Sequence, residues 1–101
     1  MKPNRDESHR QQLRTENALF EAIASLDSKA ECRLFLKDLC TPAELQALVD
    51  RWQVVLYLQK ELPYRKIHQL TGVSVTTIGR VARCLIAGAG GYQTALDRIS
   101  H

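Results

Sequence analysis

Ser74, Val75, Thr76, Thr77, Gly79, Arg80 and Arg83 share one short run of the chain. Small hydroxyl- and methyl-bearing side chains followed by two arginines suit the edges of base pairs in a DNA major groove. Thr76 can donate, accept or touch a thymine methyl, whereas Val75 can touch that methyl only through apolar contact. Gly79 lets a backbone come close. Arg80 and Arg83 can grip a guanine edge or a phosphate, and residue type alone does not separate the two. Ser74 opens the run. Just upstream lie Lys60, Tyr64, Arg65 and Lys66, which suit phosphate anchoring, a contact that gives affinity and register but no sequence information. From Lys60 to Ile86 there are five cations against the single anion Glu61. That local excess of +4 outweighs the +3 of the whole chain. A solvated polar face is the plainer reading of such a cluster; an electrostatic footprint for phosphates is the sharper one.

To be presented together, these side chains need two short helices about a tight turn. Tyr64 to Leu70 reads as the first, Gly72 as its left-handed stop, Ser74 as the next N-cap, and Val75 to about Ala87 as the second. Glycine suits the turn because it takes positive φ without steric cost. Ile67, Leu70, Val73, Ile78 and Val81 are spaced to form the inner faces. On a helix, Val75, Thr76, Gly79, Arg80 and Arg83 then lie largely opposite Ile78 and Val81. The spacing predicts a helix-turn-helix over about 64–86. Ordinary helical hairpins use similar offsets, and His68 stands where a smaller residue such as alanine is usual.

The rest of the chain frames this pair. Its 101 residues predict one domain, and 45% hydrophobic with 25% charged residues is ordinary for a globular protein. No apolar run approaches the ~20 residues that span a bilayer, so no membrane partner is expected. The N-terminus "MKPNRDESHRQQLR" has no apolar signal-peptide core, which points to the cytoplasm. Residues 1–12 read as a mobile polar arm and 13–101 as a single helical domain. Leu19, Phe20, Ile23 and Leu26 stripe a first helix ending at Asp27. Ser28 and Glu31 suggest a capping box ahead of Cys32, Phe35, Leu36 and Leu39. Thr41-Pro42-Ala43-Glu44 is the sharpest boundary, opening a third helix to about Lys60. Leu45, Leu48, Val49, Trp52, Val55 and Leu56 stripe that helix, while Val54, Tyr57 and Leu58 widen its apolar surface. A helix apolar on more than one side needs more than one packing partner, and a second subunit would supply it. "GAGG" at Gly88–Gly91 reads as a flexible break before a last helix with Tyr92, Ala95, Leu96 and Ile99. The fold class is therefore all-α with six helices.

Enzymatic chemistry finds little support. There is no nucleophile–base pair and no phosphate-cradling loop, and "GAGG" follows no strand. Cys32, Cys40 and Cys84 show no metal-ligand spacing, and His9, His68 and His101 are scattered. No metal site is expected. Cys32 and Cys40, eight positions apart on one helix, are too distant for a disulfide. Small buried apolar cysteines in a reducing compartment are the expectation.

Four stretches together carry a more specific signal: "LFEAIASL", "ECRLFLKDLCTPAELQALVDRWQVVLYL", "YRKIHQLTGVSVTTIGRVARCL" and "GAGGYQTALDRI". On these, from Leu19 to Ile99, the chain resembles the Trp repressor superfamily, in its YerC/YecD-like branch. The resemblance implies a six-helix fold, an intertwined homodimer, and two recognition helices reading half-sites about 34 Å apart on double-stranded DNA. It also implies an effector pocket, because the founding member is switched on by L-tryptophan held by two arginines. Arg51 and Arg80 match those positions and Thr41 matches a third. Tryptophan-responsive members have glycine and serine where this chain has Val81 and Cys84. Valine would fill ligand space and a thiol is only a weak donor, so the residues argue against tryptophan. No cofactor is required; an amino-acid-like corepressor is what the resemblance leaves open. A surface salt bridge with Asp50 or Glu44 is the plainer role for Arg51. The resulting expectation is a dimeric DNA-binding regulator, a repressor reading a two-fold-symmetric operator. A helical homodimer that grips another protein is the alternative.

Overall fold

The computed structural model describes residues 5–100. They form six α-helices: α1 (Arg5–Ala24), α2 (Lys29–Leu39), α3 (Pro42–Gln59), α4 (Tyr64–Thr71), α5 (Val75–Ala87) and α6 (Gly91–Ile99). The chain divides into two compact units between Cys40 and Thr41.

The first unit carries α1 and α2. Residues 5–12, expected as part of a mobile arm, are helical, and α1 starts eight positions ahead of the first apolar residue of its stripe, Leu13. The cause is propensity: Arg, Glu, Gln and Leu lose little side-chain freedom in a helix. A search for apolar period cannot see a helix with no apolar face. The part of the expected arm at 1–4 lies outside the described residues. α1 ends at Ala24, earlier than Asp27, where the Ser25 hydroxyl turns back to donate to the Ala22 carbonyl at 2.6 Å. At α2, Ser28 Oγ accepts the Glu31 N–H at 3.1 Å, as the expected box requires. The reciprocal bond is shifted: Glu31 Oε1 accepts from the Asp27 N–H at 2.8 Å, one residue before the cap. No residue of α2 is fully buried, and Phe20 (57% exposed) and Leu34 (65%) lie open.

The second unit holds α3 to α6 around a core of Val54, Val55, Ile67, Ile78 and Val81. Trp52, Tyr57, Leu58, Leu62, Val73, Leu85, Tyr92 and Leu96 pack against it. α3 opens on a complete capping box. Thr41 Oγ1 accepts the Glu44 N–H at 3.2 Å and Glu44 Oε1 accepts the Thr41 N–H at 2.8 Å, with Pro42 in the first turn. Only one side of α3 reaches the core: Leu48 and Val49, in the same expected stripe, stay 42% and 46% exposed. Its C-terminal end turns through Glu61 at φ 60, and the Leu62 N–H bonds the Tyr57 carbonyl at 3.3 Å. That closure folds Leu62 onto the core.

α4 and α5 follow at 115° to each other across Gly72, Val73 and Ser74. Gly72 has φ 74 and its N–H bonds the His68 carbonyl at 2.8 Å, the left-handed stop that the sequence predicts. Ile67 and Ile78 are wholly buried and Val81 nearly so, but Leu70 is 49% exposed and is not an inner-face residue. Position 70 lies three residues after Ile67, on the flank of an eight-residue helix too short to bury both. "GAGG", expected as a break, forms the corner between α5 and α6. The Gly88 N–H caps α5 on the Cys84 carbonyl at 2.9 Å, and Gly91 is already helical.

Candidate nucleic-acid interface

The core sets what α5 can offer. Ile78, Val81 and Ala82 are buried, so the opposite arc faces outwards. Ser74, Val75, Thr76, Arg80 and Arg83 are all exposed, and Val75 is 52% exposed. Ser74 is the N-cap: its Oγ accepts the Thr77 N–H at 3.2 Å and donates to Thr77 Oγ1 at 3.0 Å. Its hydroxyl is therefore committed to starting α5. Thr76 keeps a free-facing side chain in the first turn, where base-edge contacts are made in DNA-reading helices. Gly79 differs from the expectation of open backbone. It is half-buried, and a methyl added there would meet the Tyr64 ring at 3.9 Å, an ordinary packing distance. Gly79 thus faces the flank where α4 and α5 meet.

α4 supplies the second group. Tyr64, Arg65 and Lys66 occupy its first turn and are exposed. Pro63, its N-cap, offers no side-chain hydrogen bond to the first-turn amides. Exposed amides at a helix start, flanked by two cations, suit a phosphate. Lys60 lies at the end of α3 with Nζ 5.8 Å from the centre of the Tyr57 ring. An exposed cation over a ring gains only about 0.5–1 kcal/mol, so this contact does not tie it down.

The effector-pocket candidates separate. Arg51, Arg80 and Cys84 line one cleft of ≈ 270 Å³ together with Thr77, Val81 and Tyr92. Thr41 is not among them, because its side chain is spent capping α3. The cleft falls just under the ~300–1,000 Å³ of ordinary ligand sites, and Val81 is part of its wall. The carboxylates suggested for Arg51 are engaged elsewhere: Asp50 accepts from Gln46 at 2.8 Å, and Glu44 closes the α3 cap. Tyr92 and Thr77 complete the cleft wall, where sequence spacing alone does not place them. Tyr92 is held by Trp52, whose ring centre lies 6.2 Å away at a 45° tilt. The Gly-Gly-Tyr spacing was its only sequence signal; Thr77 had none beyond its place after Ser74. The cysteines are less buried than the sequence predicts. Cys84 is exposed and Cys32 and Cys40 are half-buried, and all three are free thiols.

Electrostatics at the unit is simple because little is buried. Among the described residues no buried side-chain polar atom lacks a hydrogen-bond partner. The arginines and lysines named above are on the surface, where solvent screens them from one another and leaves them available to an external polyanion. No single described helix is long and apolar enough to cross a membrane.

Three comparisons converge on this arrangement. The family model for Trp repressor protein matches residues 14–100. The Bacillus subtilis (strain 168) protein YerC, itself uncharacterized, is 46% identical over 81 residues, which is 80% of this chain and 78% of YerC. Among solved structures, a TrpR-like protein from Eubacterium eligens superposes with a TM-score of 0.80 at 36% identity, covering 86% of this chain and 90% of that one. A Staphylococcus aureus protein, provisionally described as a Trp repressor, gives 0.78 at 40% identity over 85% and 86%. The chain is a member of the Trp repressor family, in its YerC-like branch.

Proposed function

We propose that the chain is a cytoplasmic, homodimeric, sequence-specific DNA-binding regulator that represses transcription. α4 and α5 serve as its helix-turn-helix, with α5 in the major groove. The single observation that carries this reading is the division of α5. Ile78 and Val81 anchor one face in the core, while Thr76, Arg80 and Arg83 stand exposed on the other, just past a turn of 115°. Thr76 and Arg80, nearest the start of α5, take the base edges, with Val75 beside them. Arg83, Arg65, Lys66 and Lys60 take phosphates, and the Tyr64 hydroxyl donates to one. No catalytic role is proposed.

What one chain leaves uncovered supports dimerisation. Leu48 and Val49 on α3, Phe20 and Ile23 on α1, and Leu34 and Leu39 on α2 are all more than two-fifths exposed. A second copy is the partner that the family membership favours, and it would pair two α5 helices for a two-fold-symmetric site. The Arg51–Arg80 cleft is where an amino-acid-like corepressor would act. Its effect would depend on favouring one orientation of α4–α5 over another, because equal affinity for both shifts nothing.

Selection of bound duplexes from a random library, with and without added amino acids, tests the reading. A two-fold-symmetric site is expected, and its dependence on an amino acid would identify gating. No enrichment under any condition, with binding to protein partners insensitive to salt, would assign this surface to protein contact instead.

A further inference from the structure

Val73 joins the two helices, and both of its backbone polar groups are held by side chains of α4. Its N–H donates to Thr71 Oγ1 at 3.1 Å, and its carbonyl accepts from His68 Nδ1 at 2.7 Å. Thr71 Oγ1 in turn donates to the Ile67 carbonyl at 2.7 Å, so it is fixed to the helix it caps. The His68 carbonyl accepts the Gly72 N–H at 2.8 Å. His68 therefore grips the turn at two points, once through its backbone and once through its ring. Because a carbonyl only accepts, the neutral ring must carry its proton on Nδ1 here, and the bond selects that tautomer. Val73 also packs its side chain on the core, which leaves its ψ as the torsion through which α5 would swing.

We propose that His68 and Thr71 are positioning residues for sequence reading. They clamp Val73, fix the angle between α4 and α5, and set the register of α5 without themselves touching base edges. The inference rests on the DNA-binding reading above. The lever arm explains why so small a clamp matters. From Val73 to Arg80, which lies well inside the thirteen residues of α5, the chain spans roughly 10 Å, so a swing of about 10° moves Arg80 by roughly 2 Å. A hydrogen bond tolerates only a few tenths of an ångström around ~2.9 Å, so a shift of that size breaks a base-edge contact. It barely alters attraction to phosphates, which acts over about 8–10 Å in ordinary salt. Loosening the clamp should therefore cost discrimination and spare general affinity. This also accounts for a histidine where a small residue is usual: its ring lies over the turn, not between the helices.

The test compares the parent with His68→Ala, His68→Asn, Thr71→Val and Thr71→Ser. Each is titrated with the selected duplex and with a scrambled duplex over a range of salt, after circular dichroism has verified the fold. His68→Ala and Thr71→Val should bind the selected duplex about tenfold more weakly, the scale of one lost hydrogen bond. Binding to the scrambled duplex and the salt slope should not change. Asparagine, which can donate from nearly the Nδ1 position, and serine, which keeps the hydroxyl, should restore discrimination. Nitrogen-15 spectra of the neutral ring in the parent should show the Nδ1–H tautomer. An Nε2–H tautomer overturns the proposal. So does an equal loss on both duplexes, or a shallower salt slope in His68→Ala, which would make His68 a phosphate contact. A parent that prefers no duplex while its ring is Nδ1–H overturns the DNA reading itself and is distinguishable on that ground.

Discussion

Arg80 and Arg65 are both exposed arginines of the same unit, yet they should answer differently to removal. Arg80 stands two turns from the α5 N-cap, within reach of a base edge; Arg65 stands at the uncapped start of α4. Arg80→Ala is expected to weaken the best site by about 1–3 kcal/mol and to relax preference at one base pair. Arg65→Ala should weaken all sequences alike and lower the slope of log K against log salt by about 0.9. Competition titrations against single-position variants of the selected site separate the two, and matching profiles would void the assignment of roles. Glu44 offers a second residue-scale test. The Thr41 N–H, and then the Thr41 hydroxyl, hold its carboxyl below the ordinary 4.5. A carboxylate whose folded value is depressed adds stability that is fully present above the unfolded value. That stability fades as pH falls from about 4.5 through the lower folded one. Urea midpoints measured from pH 6 down to pH 3 should therefore fall less steeply in Glu44→Gln than in the parent over that window. Parallel curves would show that the α3 cap does not respond to this proton.

Elements, by contrast, are decided by their ends. Among the described residues, the helix starts with a polar cap (Ser28, Thr41, Ser74) were legible in the sequence, because the capping residue and its partner three positions on are local signals. The Gly72 stop was legible for the same reason. What escaped was non-local or lacked an apolar stripe: the polar first half of α1, the exposure of Leu70, and the left-handed Glu61. The site divides in the same way. Which face of α5 is open followed from period alone. That Tyr92 comes to the Arg51–Arg80 cleft, and that His68 reaches over the turn, depended on the α5–α6 corner and on a side-chain-to-backbone bond that no spacing encodes. That corner makes its own prediction. A methyl on Gly88 would collide with the Cys84 carbonyl oxygen, whereas one on Gly91 would meet open space. Gly88→Ala should cost about 1–3 kcal/mol as overpacking against rigid backbone. Gly91→Ala, within a helix, should gain up to about 1 kcal/mol. Thermal melts of the pair check both signs; equal melting temperatures would mean that the corner yields freely.

At the scale of the whole molecule, the two units differ in how much they bury. The second has a wholly buried core of four aliphatic side chains, Val54, Val55, Ile67 and Ile78. Among the described residues of the first, none is buried, and the large apolar side chains of Phe20, Ile23, Leu34 and Leu39 are all exposed. Isolated helices of this length are marginal in water, since most helical stability comes from packing an apolar face. Residues 5–39 thus need a surface beyond themselves, and the second unit, taken by itself, also leaves Leu48 and Val49 on α3 uncovered. If that surface belongs to a second copy, folding and association are one equilibrium, and the melting temperature must rise with protein concentration. A charge at the centre of such a contact would be buried without a partner, a change that ordinarily costs several kcal/mol. Leu48→Asp should therefore give monomers in sedimentation equilibrium, with lower helicity and little or no dependence of melting on concentration. Leu70→Asp, equally exposed but on α4, should leave the dimer intact. A parent whose melting is independent of concentration, and which sediments as a monomer with α1 and α2 fully helical, would rule the second copy out. A two-fold-symmetric DNA site would then need another explanation, because only a paired α5 can match the two half-sites one helical turn apart.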